Sequence, residues 1–90
     1  MLIPFNLWSK GRIALGKKCC TSRHKKYLDD SRVIGISKKM PWGFIKTYLF
    51  ELEGADSPAE LQNIIEDIYK REVKDDELFY VHFGDFRRKE

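Results

Sequence analysis

The 90 residues predict a single α+β domain, a small mixed β-barrel with a short N-terminal helix and one longer helix packed over it. Three observations carry this. Runs of β-branched and aromatic residues recur along the chain as strand candidates. One segment, from Ser57 onward, has an unambiguous helix start and a helical apolar stripe. The length bounds the rest: a chain of this size buries roughly 60–65% of its unfolded surface, enough for one modest core.

The elements follow in order. Ile3–Trp8 is apolar but contains Pro4, which suits at best a short edge strand. Ser9–Gly16 reads as one or two helical turns, with Ser9 as cap and Gly16 as a left-handed stop. Cys19–Arg23 reads as a strand, His24–Asp30 as a charged loop and Arg32–Ser37 as a second strand. Met40-Pro41-Trp42-Gly43 has the punctuation of a turn. Phe44–Glu53 is the longest strand candidate. Its alternation leaves neither face cleanly polar, which suits a curved barrel strand.

Ser57-Pro58-Ala59-Glu60 combines a capping serine, proline at the first helical position and glutamate three residues after the cap. Leu61, Ile64, Ile65, Ile68 and Tyr69 then form one stripe, which predicts a helix lying as a lid on the core. Its outward carboxylates, Glu66 and Asp67, read as solvated. Lys70–Glu77 is a charged loop, Leu78–Phe86 a closing strand, and Arg87-Arg88-Lys89-Glu90 a short basic tail.

Composition narrows the function classes. An apolar fraction of 42% argues for a folded domain. No apolar run approaches the roughly 18 residues that span a bilayer, so no membrane partner is expected. The opening Met1-Leu2-Ile3-Pro4-Phe5 lacks the basic and long apolar regions of a signal peptide, which makes a cytoplasmic location the expectation. Cys19 and Cys20 are adjacent and have no other cysteine to pair with, so they read as small reduced strand residues. His24 and His82 have no zinc spacing; no metal and no cofactor are expected.

The net charge of +3 conceals a polarity. Residues 1–50 hold 11 Lys/Arg against 2 Asp/Glu, and residues 51–90 hold 6 against 12. Either the two halves neutralise each other across the fold, or the basic half meets an anionic partner, with nucleic acid the first candidate. The cations Lys17, Lys18, Arg23, Lys25 and Lys26 suit phosphate without demanding an order. Trp42, on its Pro-Trp-Gly turn, is a candidate to stack on a base, unless it packs in the core. Trp8 and His82 read as packing residues.

Lys18 and Thr21 form a candidate base–hydroxyl pair. Residues three apart on a regular strand point to opposite faces, so the two share a pocket only across a turn or a bulge. Glu53, directly before Gly54, can look into the same opening or simply pair with a cation.

Taken together, Gly16-Lys17-Lys18-Cys19-Cys20-Thr21-Ser22-Arg23 resembles the G-x-K-x-x-T-x-R signature of the ASCH domain, a branch of the PUA-like β-barrels. Glu53-Gly54 followed by Ser57-Pro58-Ala59-Glu60-Leu61 is similar to that domain's E-G-x-x-S-P-x-E-[LF] segment, and Phe79–Phe83 to its last barrel strand. Cys19 stands where the family usually has threonine. The resemblance implies one PUA-like domain over residues 1–90 that binds RNA or a modified nucleoside in a cleft between barrel and helix. One branch of the family hydrolyses N(4)-acetylcytidine to cytidine and acetate. It implies, for this chain, Thr21 as acyl acceptor, Lys18 as its base and Glu53 as a positioning or proton-shuttling group.

Overall fold

The computed structural model describes residues 2–87. Of the basic tail expected at Arg87-Arg88-Lys89-Glu90, only Arg87 lies within them. The architecture is α+β: α1 (Leu7–Ala14), β1 (Cys20–Arg23), β2 (Val33–Pro41), α2 (Trp42–Tyr48), α3 (Pro58–Tyr69) and β3 (Leu78–Gly84). The three strands form one antiparallel sheet in the order β1-β3-β2. The expected closed barrel is not formed among the described residues. Beyond β1 the sheet continues only as a single bridge, Lys18 to Glu53. The physical reason is that the segment expected to supply the longest strand, Phe44–Glu53, begins inside a helix that runs to Tyr48.

Two starts and one stop follow from local chemistry. The side chain of Asn6, rather than Ser9, caps α1 by accepting from the Ser9 amide at 2.8 Å. Residues 2–6 therefore form no strand: Pro4 offers no amide hydrogen and Asn6 already commits the backbone to the helix. Gly16 ends the helix as expected, at φ +76°. The Lys17 amide donates to the Arg12 carbonyl at 2.9 Å and the Gly16 amide to the Ile13 carbonyl at 3.0 Å, the paired bonds of a Schellman stop. In α3, Ser57 accepts from the Glu60 amide at 3.0 Å, while Glu60 accepts from the amide of Asp56 at 2.8 Å.

The main departure is α2. Phe44–Glu53 is not a strand; the helix begins at Trp42, and β2 runs through the expected turn to Pro41. Trp42 and Ile45 are fully buried and Leu49 packs beside them, an i, i+3, i+7 spacing that belongs to a helix. The mixed faces left by a period of two were the mark of the wrong period. Tertiary contacts settle the matter, because the Trp42 and Gly43 amides donate to the Glu77 and Asp75 carbonyls at 2.8 and 2.9 Å. These satisfy donors that Pro41, with no side-chain cap, leaves open.

The main core lies between the sheet and helices α2 and α3, built on Cys20, Trp42, Ile45, Leu61, Ile65, Val73, Phe79 and Val81. A second, smaller cluster joins Ile3, Ile13 and Phe86, with Phe5, Tyr27 and Val33 against it. β3 stops at Gly84, where a Cβ would fall 2.1 Å from the Arg32 carbonyl oxygen. No helix of the described residues is long and apolar enough to cross a membrane.

Candidate functional site

The site forms where the end of α1, the start of β1 and the turn before α3 meet. After the Gly16 stop, the chain enters the sheet irregularly: the Cys19 and Cys20 amides both donate to the Leu52 carbonyl, at 2.8 and 3.0 Å. Two amides on one acceptor is a bulge, and past it Ser22, rather than Thr21, meets Glu53 together with Lys18. Opposite, Gly54 at φ +96° lets the chain pass so close that a Cβ there would stand 3.0 Å from Arg12 Cβ and 3.1 Å from Lys18 Cβ. That tight turn delivers Glu53 beside Lys18.

Lys18 Nζ donates to the Glu53 carbonyl and to Glu53 Oε1, both at 3.0 Å. Both side chains are buried. The other carboxylate oxygen, Oε2, accepts from the hydroxyl of Ser22. Glu53 is thus an interior carboxylate with a cation on one oxygen and a hydroxyl on the other. One hydrogen of the Lys18 ammonium is left after the two donated to Glu53. Thr21 Oγ1 accepts from Arg23 Nη1 at 2.7 Å, which leaves the threonine hydroxyl hydrogen to be donated elsewhere.

Lys18, Thr21, Ser22 and Glu53 line a small cavity of about 20 Å³, bordered also by Trp8 and the α3 residues Leu61, Ile64 and Ile65. Its volume suits one water-sized group. Ser9, Arg23, Ile65 and Ile68 border both this cavity and an adjoining cleft of about 420 Å³, walled also by Phe5, Tyr27 and Tyr69. Arg23 stands at the junction. Its Nη2 donates to the Pro4 carbonyl at 2.6 Å, Nη1 also reaches the Ser22 carbonyl at 2.9 Å, and the guanidinium lies 5.5 Å from the Phe5 ring centre.

Burial sets the protonation landscape around this core. It pushes the Cys20 thiol well above its usual range, aided by Glu53, so Cys20 stays protonated and packs as the sequence suggests. Burial also lowers Arg23 from its ordinary value and raises Tyr69. His82, opposite Thr21 in the sheet, is fully buried and held below its usual value, again by burial first. Its Nε2 accepts from the Tyr27 amide at 3.0 Å, while Nδ1 has no hydrogen-bond partner.

The expected residues therefore divide. Lys18 and Glu53 pair directly, while Thr21 borders the same small cavity and hydrogen-bonds to Arg23 rather than to either of them. Lys17 is exposed and borders a separate hollow with Glu51 and Asp56. Lys25 and Lys26 lie exposed on the loop after β1. Trp42 is corrected: it is 0% exposed, its ring meets Phe79 at 5.4 Å and its indole donates to Gln62 at 2.6 Å, so it offers no face to a base. Aromatic surface comes instead from Phe5, Tyr27 and Tyr69. Ser22, absent from the sequence candidates, is the hydroxyl that reaches Glu53, while its neighbour Thr21 turns to Arg23. Among the described residues no three His, Cys, Asp or Glu side chains gather as a metal site.

Comparison of the chain with protein families, curated proteins and solved structures finds no match.

Proposed function

We propose that the cleft between β1, α1 and α3 binds a nucleoside, with the polar edge of its base directed at Lys18, Thr21 and Glu53. The observation that carries the reading is that these three residues, with Ser22, line one small cavity beside an aromatic-walled cleft of about 420 Å³. That volume falls within the usual range for small-ligand sites. Tyr27, Tyr69 and Phe5 suit a planar ring, and Arg23 at the junction supplies donors to an oxygen-rich ligand. The inner cavity has room for one carbonyl oxygen or exocyclic amine. This agrees with the ASCH-type, PUA-like likeness of the Gly16–Arg23 and Glu53–Leu61 segments, and RNA or a modified nucleoside is the ligand class that likeness implies.

A second reading is favoured by the Thr21 hydroxyl, whose oxygen is held by Arg23 while its hydrogen is unclaimed. In that reading a Lys18 proton passes first to Glu53, and the Lys18 amine takes the hydroxyl proton as Thr21 Oγ attacks the acetyl carbonyl of N(4)-acetylcytidine. The carbon–nitrogen bond breaks with a proton passing to the cytosine amine. Water then cleaves the acyl-threonine to acetate and restores the hydroxyl.

Titration calorimetry with cytidine and N(4)-acetylcytidine, alongside an acetate-release assay, tests both. Binding is expected, and Ile68→Trp is expected to abolish it by filling the cleft from a position that is 42% exposed. The same substitution should change stability by no more than about 0.5 kcal/mol, as surface changes usually do. No heat with either nucleoside overturns the binding reading. Binding without acetate release leaves binding and removes hydrolysis.

A further inference from the structure

The positive charge of the N-terminal half is not cancelled evenly. Arg12, Lys18 and Lys46 reach carboxylates of the C-terminal half. Among the described residues no carboxylate pairs with Lys26, Lys38 or Lys39. Two of these converge: Lys26 Nζ lies 5.4 Å and Lys39 Nζ 5.6 Å from the centre of the Tyr80 ring. Lys25 Nζ stands 5.0 Å from the centre of Tyr27. A tyrosine face attracts each ammonium weakly at an exposed site, while two like charges gathered at one ring repel. An anion between them relieves that repulsion, so the patch is poised to take one.

Sheet register turns the patch into a row. Tyr80 of β3 lies opposite Arg23 of β1 on one side and opposite Lys39 of β2 on the other. Strands spaced about 4.8 Å apart place the ends of this row on the order of 10 Å from each other. Arg23, at one end, belongs to the cleft. Tyr27 walls both that cleft and a second groove of about 360 Å³, bordered by Lys26, Leu28 and Ile34. The basic row and the cleft are therefore continuous around one tyrosine.

We propose that the row Arg23–Tyr80–Lys39, with Lys26 beside it, is a track for the phosphodiester backbone of single-stranded nucleic acid, leading into the cleft. The inference rests on the nucleoside reading for where a base comes to sit; the track itself stands on the cations. A single strand fits better than a duplex because rings interleaved with cations engage unstacked bases, which a duplex conceals.

Fluorescence anisotropy with a labelled single-stranded RNA of about 12 nucleotides, a length typical of small single-strand sites, tests the track. Binding is measured from about 50 to about 200 mM salt. Lys26→Ala with Lys39→Ala is expected to flatten the slope of log affinity against log salt by about 1.4, from about 0.7 for each of two lost phosphate contacts. Calorimetric affinity for free nucleoside should be unchanged in the same variant. Single-stranded DNA should show the same loss of slope, since its phosphates are shared.

An unchanged slope in the double variant overturns the track and leaves the cleft reading standing. A normal slope on RNA with no nucleoside binding by the wild type removes the cleft reading and keeps the track. Sedimentation with phosphatidylserine vesicles in place of RNA binding overturns the proposal in favour of a lipid surface. Equal thermal midpoints for wild type and variant exclude misfolding as the cause of any loss.

Discussion

At Glu53 the chain puts a carboxylate in the interior and meets it with the Lys18 ammonium on one side and the Ser22 hydroxyl on the other. Removing one partner of a buried pair strands the other charge. Lys18→Met is therefore expected to cost about 3–5 kcal/mol, read from urea midpoints. Lys18→Met combined with Glu53→Leu should recover most of that, because no charge is left uncompensated. His82 sets a pH dependence of its own. Burial holds it below 6.5, so it binds a proton more readily in the unfolded chain than in the native one. Its contribution is fully present above pH 6.5 and is lost as pH falls below that toward the lower native value. Asp30, depressed chiefly by its hydrogen bonds to Arg32, and Glu77, brought down to about 2 by Arg71 first and His24 after it, act lower. Their contributions persist above the ordinary carboxylate range and are lost as pH drops below it. Thermal midpoints followed from about pH 8 to about pH 3 should decline in two stages. His82→Gln should erase the first stage and spare the second.

Elements place these groups through their ends. The Schellman stop of α1 turns the chain into the bulge that carries Lys18, and the sharp turn at Gly54 brings Glu53 across from it. Both glycines have positive φ, but they are not equivalent. At Gly16 the nearest atom to an added Cβ is the tip of Arg87, at 3.5 Å, so Gly16→Ala should cost only the left-handed strain of about 1–2 kcal/mol. At Gly54 the Cβ also crowds Arg12 and Lys18 at 3.0 and 3.1 Å. Gly54→Ala is thus expected to destabilise more than Gly16→Ala and, by moving Lys18, to weaken nucleoside binding as well. Chemical denaturation and calorimetry on the two variants decide both points. The cap of α3 is a smaller matter; losing the Ser57 hydroxyl, which holds the Glu60 amide, costs about 1 kcal/mol.

Across the whole molecule, the two charge halves meet only in part. Pairs such as Lys46–Asp75 at 2.7 Å and Arg12–Asp56 at 3.8 Å join them at the surface, where each contributes at most about 1 kcal/mol. Lys26, Lys38 and Lys39 stay outside that exchange. The expected consequence is a separation of salt effects. Raising salt from about 50 to about 200 mM should move the thermal midpoint little while steeply weakening binding to a polyanion. A midpoint that falls as steeply as the binding would mean that surface pairs, rather than the core around Trp42, Phe79 and Val81, hold the fold.

Local chemistry alone determined the parts with near-neighbour causes. The Gly16 stop, the Ser57–Glu60 start of α3, the α3 stripe and the strand character of Cys20–Arg23 and Leu78–Gly84 all depend on residues a few positions apart. The candidacy of Lys18, Thr21 and Glu53 rested on residue type and on the resemblance of their motifs to a family pattern. Tertiary structure decided the rest. Whether Phe44 lay in a strand or a helix turned on carbonyls of Asp75 and Glu77, some thirty residues away in sequence. Which hydroxyl met Glu53, that of Thr21 or of Ser22, turned on the side of β1 that faces the Gly54 turn. Ser22 and Tyr80 gained their roles only from what lies across from them, Glu53 and the paired strands β1 and β2. Side-chain periodicity within one segment carries no record of which distant backbone groups will meet it, and that is the information folding adds.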